Sequence, residues 1–407
     1  MITLWKPEDN TGPTFPEGFV GAAARCGLKT AGDDVALIVT DSEAAVAGVF
    51  TTNRVQASCV RYSRRVVRSG VARAILANAG NANACNGDRG DEDNHTLADW
   101  VSRRLNIPPD YVLTASTGVI GHPLPMELME TGVQQAVSDL DRDERTDLRI
   151  AHAIMTTDTR PKLAAAEADS DSWVAPIRFG GVCKGSGMIA PNMATMLAFL
   201  TTDVRIPAPL LQEALERAVA VSFNAITVDG DTSTNDMCLL LASGMAGCEI
   251  SRPGPGFEDF VEGLTRIAVA LAKEIARDGE GATKLVEIAV SGAATRANAE
   301  RIARTIAESP LVKTALFGCD PNWGRLLAAA GRAGVPIDPD RIEARIGDQT
   351  VCVDGRGVEF DRDAAHDALA GDEVRIAVDL HLGEECATFY TCDLSYDYVK
   401  INAEYHT

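Results

Sequence analysis

The sequence predicts a layered chain of mixed helices and strands, α+β or layered α/β, rather than a strict βαβ repeat. Three observations carry this. Short β-branched and aliphatic runs that end in Gly, Asn, Ser or Thr read as strands. Longer runs with apolar residues every three or four positions read as helices. The two kinds of run alternate irregularly along the chain. A length of 407 residues accommodates two or three domains or lobes, and a 46% hydrophobic content supplies a large core. Aromatics make up only 5%, so that core must rest on Ala, Val, Leu and Ile.

In chain order, 35–40 and 44–50 read as two neighbouring strands joined by a short turn. A strand at 72–78 runs into the Asn/Gly-rich loop 79–87, and one at 111–114 into the Ser-Thr-Gly loop 116–121. Helical periodicity marks 96–105, 126–139, 144–155, 207–221, 236–246, 257–277 and 297–308. Pro207 and Pro209 suit a helix start, and Asp278-Gly279 suits a helix stop. Further strands are expected at 284–290 and 374–380. The polar stretches 167–172 and 338–341 read as surface loops, and 251–256 as a turn. No internal repeat or long linker interrupts the pattern.

The formal charge of −20 argues against nucleic acid and anionic membranes as partners, because phosphates would be repelled. No apolar run reaches the roughly 18–20 residues of a membrane span, and residues 1–16 lack the pattern of a signal or transit peptide. A cytoplasmic enzyme is the expectation. The ten cysteines form no CxxC pair and no zinc pattern with histidine, so they are expected to act as small buried hydrophobes.

Several catalytic patterns fail on spacing. None of the six histidines lies in the Gly/Thr/Asn-rich loops. Gly185-Ser186-Gly187 is not a GxSxG elbow. Asp278-Gly-Glu-Gly-Ala-Thr-Lys284 does not have the spacing of a phosphate-binding loop. The threonine-rich loops are more informative. Ser116-Thr117-Gly118, Thr156-Thr157-Asp158-Thr159 and the run from Asp229 to Asp236 concentrate hydroxyls and carboxylates. Each alone fits turn and cap chemistry; together, beside Lys184-Gly185-Ser186-Gly187, they point to a site.

Thr195 is the candidate nucleophile. It follows the small Ala194 and opens the apolar run 196–200. A threonine hydroxyl is a weak nucleophile unless a base adjoins it. A threonine at the start of a chain carries its own base, an α-amine of pKa ~7.7–8.0. Thr195 is internal, so this chemistry requires cleavage of the Ala194–Thr195 bond by attack of the hydroxyl on the Ala194 carbonyl. From composition alone, a buried strand threonine is a better reading of the residue than a nucleophile.

The strings STGVIG, MTTDTRPK, KGSGMIAPNMATMLAFLTTD, VSFNAITVDGDTSTND, DGEGATKL, CDPNWGR and CDLSYDYVKINAEYHT, in this order, closely resemble the ornithine acetyltransferase (glutamate N-acetyltransferase) family of arginine biosynthesis. The resemblance runs from about Thr14 to Thr407. It implies an α/β fold in two lobes of layered sheets and helices, ArgJ/DmpA-like, of the self-processing N-terminal-nucleophile type, with the site between the lobes. It implies self-cleavage into an N-terminal segment, 1–194, and a C-terminal segment, 195–407, that begins with Thr195. Acetyl would pass from N-acetylornithine to Thr195 and then to glutamate. By the same resemblance, Thr117 and Gly118 form the oxyanion hole. Thr156, Lys184, Thr195, Glu280, Asn402 and Thr407 contact substrate. An α2β2 assembly with no cofactor and no metal is implied. Bifunctional members also take acetyl-CoA as donor, and no CoA-recognition pattern is legible here. An aminopeptidase-like hydrolase and an uncleaved amino-acid-binding regulatory domain are the rival readings.

Overall fold

The computed structural model describes residues 2–5, 9–190 and 196–404. The first sheet holds nine strands: β1 (Ile2–Leu4), β2 (Phe19–Ala24), β3 (Val35–Phe50), β4 (Val71–Asn81), β5 (Val112–Val119), β6 (Lys162–Ala168), β7 (Ile177–Lys184), β8 (Leu197–Thr202) and β9 (Met237–Ala242). Their spatial order is β1-β6-β7-β8-β9-β3-β4-β5, and β2 also pairs with β3. β8 runs parallel to β9, and β4 parallel to β5; the other neighbours are antiparallel.

Side-chain alternation in β8 explains its central place. Leu197 and Phe199 enter a core shared with α1 (Ser58–Val67), α2 (Gly87–Leu105), α3 (Met126–Ser138) and α4 (Glu144–Ile154). Ala198 and Leu200 enter a second core under α5 (Ala208–Ala220) and α6 (Pro255–Arg277). Helices thus cover both faces, and every residue of β8 and β9 is buried. Each buried Leu or Phe contributes roughly 1.5–3 kcal/mol.

The second lobe is a six-stranded sheet of β10 (Leu285–Ala293), β11 (Glu343–Ile346), β12 (Gln349–Val353), β13 (Arg356–Gly357), β14 (Glu373–Asp379) and β15 (Glu385–Cys392), in the order β13-β12-β11-β14-β10-β15. Its core is shared with α7 (Arg296–Ala307), α8 (Pro310–Phe317), α9 (Trp323–Gly331) and α10 (Arg362–Ala370). The chain ends in α11 (Tyr396–Glu404). The long α6 packs on β6 and β7 of one sheet and on β10 and β15 of the other. The Thr227 amide donates to the Tyr390 carbonyl at 3.0 Å, a further tie between the lobes. The fold is therefore mixed α/β with layered sheets in two lobes, as expected.

Three local expectations are corrected. The helix expected at 236–246 is strand β9: an all-apolar stretch buried on both faces has no polar positions to reveal its period. The two strands at 35–40 and 44–50 are one strand, β3, whose register shifts between Val39 and Ala44. The loops after β4 and β5 begin later than expected, because the strands continue through Asn81 and Val119. The cysteine expectation holds for six buried residues, while Cys85 and Cys386 are exposed.

Candidate active site

Six of the residues singled out from the sequence meet at one cleft of about 300 Å³ between the lobes. Thr117 and Gly118 arrive from the end of β5, Thr156 from the loop after α4 and Lys184 from the end of β7. Glu280 comes from the loop after α6, and Asn402 from α11. Ala194, Thr195 and Thr407 lie outside the described residues. The chain leading to the first two borders the same place, since Gly187 and Met188 line the cleft; on the other side Met196, buried in the core, immediately precedes β8.

The Thr117-Gly118 corner depends on an absent side chain. Gly118 has φ +131° and pairs with Gly80 of β4. A Cβ there would lie 2.3 Å from the Gly80 carbonyl carbon and 2.6 Å from Asn81 N, so only glycine fits. Asn235, buried, donates through Nδ2 to the Ala82 carbonyl at 2.6 Å and to the Ser116 carbonyl at 2.8 Å. That amide fixes the approach to Thr117 from below. Ser116 in turn donates to Asn78 Oδ1 at 2.7 Å.

Lys184 is only 2% exposed. Its Nζ lies 3.5 Å from Thr117 Oγ1 and 4.0 Å from Asp158 Oδ2. Burial pushes its ammonium below the ordinary lysine value, and Asp158 opposes the shift. Asp158 organises the surrounding loops. Its Oδ1 accepts from Lys162 Nζ at 2.6 Å and Gly185 N at 2.7 Å, and its Oδ2 from Thr156 N at 3.1 Å. Burial alone would raise this carboxyl, but Lys162 and Lys184 outweigh it and hold it at about 2. Lys162, wholly enclosed, also donates to Asp278 Oδ2 at 2.6 Å. Asp278 precedes Gly279-Glu280, so a buried chain of charges, Lys184–Asp158–Lys162–Asp278, connects three loops of the cleft.

Glu280 is seated by its own loop and by α11. Its amide donates to the Ser186 carbonyl at 2.9 Å, and Asn402 Nδ2 donates to its Oε2 at 2.8 Å. A Cβ on Gly187 would collide with this carboxylate, so the Gly-Ser-Gly turn is shaped to receive it. Thr157 and Ser186 share a 2.7 Å hydrogen bond. Lys284, the lysine of the DGEGATK string, is not in the cleft: it donates to the Leu316 and Leu369 carbonyls at the ends of α8 and α10.

On the opposite wall, Asp229 holds the chain that leads toward residue 195. Its two oxygens accept from Met188 N at 2.6 Å and Ile189 N at 2.9 Å. Burial pushes this carboxyl up to about 6, against the backbone donors that lower it. Asp229, Asp231 and Glu280 face a single ammonium, Lys184, among the described lining residues. Such a cleft suits a small molecule that carries a cationic end.

A family model described as the ArgJ family matches residues 21–407. The chain belongs to the ArgJ family. ArgJ relatives named "Arginine biosynthesis bifunctional protein ArgJ" align along nearly its full length. The one from Symbiobacterium thermophilum is 48% identical over 400 residues, covering 97% of this chain and 98% of the relative. The one from Synechococcus sp. is 48% identical over 419 residues, covering 100% of each. The crystal structure of ArgJ from Bacillus halodurans aligns with a TM-score of 0.50 and 43% identity, covering 51% of this chain and 98% of that one.

Sequence reasoning missed several residues of this ArgJ-family cleft. Behind its lining, Lys162 and Asp236 were visible only inside the MTTDTRPK string and the Asp229–Asp236 run, because a buried charge is recognisable only by its partners. Asp158, Asp229, Asp231 and Asn235 were visible only as members of loops rich in turn formers. Tyr398, whose hydroxyl burial pushes up to about 12, lies in the terminal string and lines the cleft beside Asn402. The CDPNWGR string belongs elsewhere: Trp323 packs into the second lobe's core, close against Gly357.

Proposed function

We propose that this chain is an acetyltransferase of arginine biosynthesis that carries acetyl from N-acetylornithine to glutamate on the hydroxyl of Thr195. The observation that supports it most is the convergence of Thr117, Gly118, Thr156, Lys184, Glu280 and Asn402 on one cleft that Gly187 and Met188 also line. The names of the ArgJ relatives place them in arginine biosynthesis and call them bifunctional.

Maturation comes first. The Thr195 hydroxyl attacks the Ala194 carbonyl, the peptide bond becomes an ester, and water hydrolyses it. Segments 1–194 and 195–407 result, and the second starts with a free amine. The two stay joined because β7 and β8 pair residue by residue from Phe179↔Thr202 to Lys184↔Leu197. The solved Bacillus halodurans chain, which covers 51% of this one, has the size expected of one such segment.

In turnover the Thr195 amine takes the hydroxyl proton as the oxygen attacks the acetyl carbonyl. Thr117 and Gly118 donate to the oxyanion, with the Lys184 ammonium 3.5 Å behind Thr117 Oγ1 adding positive potential. Collapse breaks the C–N bond, the ornithine nitrogen takes the proton, and an acetyl ester remains on Thr195. The glutamate amine then attacks that ester, which restores the hydroxyl and gives N-acetylglutamate. Glu280, held by Asn402, faces the ammonium of ornithine. Thr156 and Lys184 receive the carboxylate end, and Thr407 is a further substrate contact. No resident cofactor or metal is needed. Acetyl-CoA serves as a second donor in the bifunctional case. The assembly is α2β2 and cytoplasmic; no helix among the described residues is long and apolar enough to cross a membrane.

The deciding experiment supplies N-acetylornithine with and without glutamate. Ornithine release that requires glutamate, from protein running as two bands on a denaturing gel, is expected. Release at the same rate without glutamate would make the chain a hydrolase. A single ~43 kDa band without transfer would make it a binding domain. Acetyl-CoA as sole donor tests the second activity.

A further inference from the structure

Asp236 stands immediately before β9 and opposite Met196, where β8 and β9 begin side by side. It is 1% exposed. Its Oδ1 accepts the Met196 amide at 2.8 Å. Its Oδ2 is fully enclosed and has no hydrogen-bond partner among the described residues. The backbone around it is firmly held: the Asp236 carbonyl accepts from Thr51 N at 3.0 Å, and Met237 N donates to the Met196 carbonyl at 3.2 Å. A buried carboxylate oxygen left unpaired is costly, so such an atom calls for a function or a partner.

The position supplies a partner. Met196 N is the atom that joins Met196 to Thr195, so Asp236 Oδ1 grips the peptide next to the nucleophile. Bond lengths keep the Thr195 nitrogen within about 3.7 Å of Met196 N in any conformation. That nitrogen is an amide in the intact chain and a primary amine after the cut. Asp236 does not line the cleft, which distinguishes it from the substrate-binding carboxylates.

We infer that Asp236 seats the α-amine of Thr195 in the cleaved protein: Oδ1 keeps the Met196 amide, and Oδ2 accepts an N–H of the new amine and turns its lone pair toward the threonine hydroxyl. This rests on Thr195 being the nucleophile. Asp236 is then a positioning residue, acting through the amine. The charges around it favour the arrangement. Burial pushes the Asp236 carboxyl well above its usual range, with the Met196 amide and Lys184 opposing. Lys184, at the end of β7, is itself shared with Asp158 and, behind that, Lys162. The Ser233 hydroxyl and amide also act to lower the carboxyl, but they are neutral, as is Thr51, so a cationic amine is the partner this carboxylate lacks among the described residues.

The test is Asp236→Asn, which preserves volume and the acceptor for Met196 N but replaces the free oxygen with a donor. The variant should keep its melting temperature. Its acid limb of kcat/KM against pH should move down by about one unit, because the amine has lost the carboxylate that favoured its protonated form. The plateau should fall about tenfold from lost orientation. An acid limb at the wild-type position would overturn the inference. If the variant does not fold, competitive labelling of the Thr195 α-amine in the unaltered enzyme decides. A pKa at or above the ordinary ~7.7–8.0 supports the contact, and a clearly lower value, as burial and Lys184 alone would give, overturns it. Thr195→Ala separates the two claims. If it is cut and active, the nucleophile assignment falls and this inference with it. If it is inert while Asp236→Asn keeps the wild-type profile, only this inference falls.

Discussion

Asn402, near the end of the chain, donates from Nδ2 to Glu280 Oε2 at 2.8 Å, across 122 residues of sequence. The bond joins the terminal helix to the loop that follows α6 and gives the cleft its acidic wall. Glu280→Gln keeps the shape and removes the charge that, on the proposed function, faces ornithine. We expect KM for N-acetylornithine to rise at least tenfold, consistent with one charge-assisted hydrogen bond of about 1.5–3 kcal/mol, with the melting temperature unchanged. Initial rates over a range of N-acetylornithine concentrations check it.

The enclosed Lys162 should be more important for stability than for binding. Lys162→Met would leave Asp158 and Asp278 buried without their shared cation. Breaking such a pair by removing one partner costs about 3–5 kcal/mol. Denaturant unfolding should register that loss. A variant as stable as the parent would mean that water reaches the two carboxylates.

Gly187→Ala should separate folding from activity. The added Cβ would meet the Glu280 carboxylate, the far end of a flexible side chain, so the fold can give way there. We expect acetyl transfer to drop by more than tenfold while the melting temperature shifts by only a few degrees, read by calorimetry beside the activity assay.

Asn235→Leu should damage the Thr117-Gly118 corner from beneath. It strips the Ala82 and Ser116 carbonyls of their donor inside the protein. At about 1–3 kcal/mol for each unpaired group, lower stability and slow self-cleavage are expected together. Denaturing gels taken through a time course after synthesis would show the intact chain persisting.

Asp147 predicts a pH dependence. It is 2% exposed and accepts the Gly12 and Thr14 amides at 2.7 and 3.0 Å, yet burial lifts it to about 7. Between about pH 4 and 7 the folded state keeps a proton that the unfolded chain has released. Stability must therefore fall as pH rises through that window and level off above it. Asp229, at about 6, adds to the same slope. Melting temperatures from pH 4 to 8 should decline accordingly, and a rise across the window would contradict the assignment of these two carboxyls.

Helices with one wet face were legible with near-correct ends: residues 126–139, 144–155 and 257–277 correspond to α3, α4 and α6. Strand β9 was not, because Met237–Ala242 is dry on both sides and offers no alternation to read. The early turns of α2 were missed for the opposite reason: Asp88, Arg89, Asp91 and Glu92 are polar and present no apolar stripe. At the site, residues carried by distinctive strings were found, and six of them meet. Lys162, Asp236 and Asn235 were not singled out, because their importance lies in partners 116, 40 and 153 residues away, which no local pattern encodes.

Strand β8 sits in the middle of a nine-stranded sheet, with β7 on one side and β9 on the other. A chain divided just before it is not two modules with a broken tether. Each piece would own only part of one hydrophobic interior, and neither could shield that interior alone. The pieces would therefore have to originate as a single translation product and reach their packed arrangement before being cut. Separately produced halves should aggregate where the uncut precursor folds. On the proposed function, division of the polypeptide would in this sense be a late event, confined to proteins that are already correctly folded.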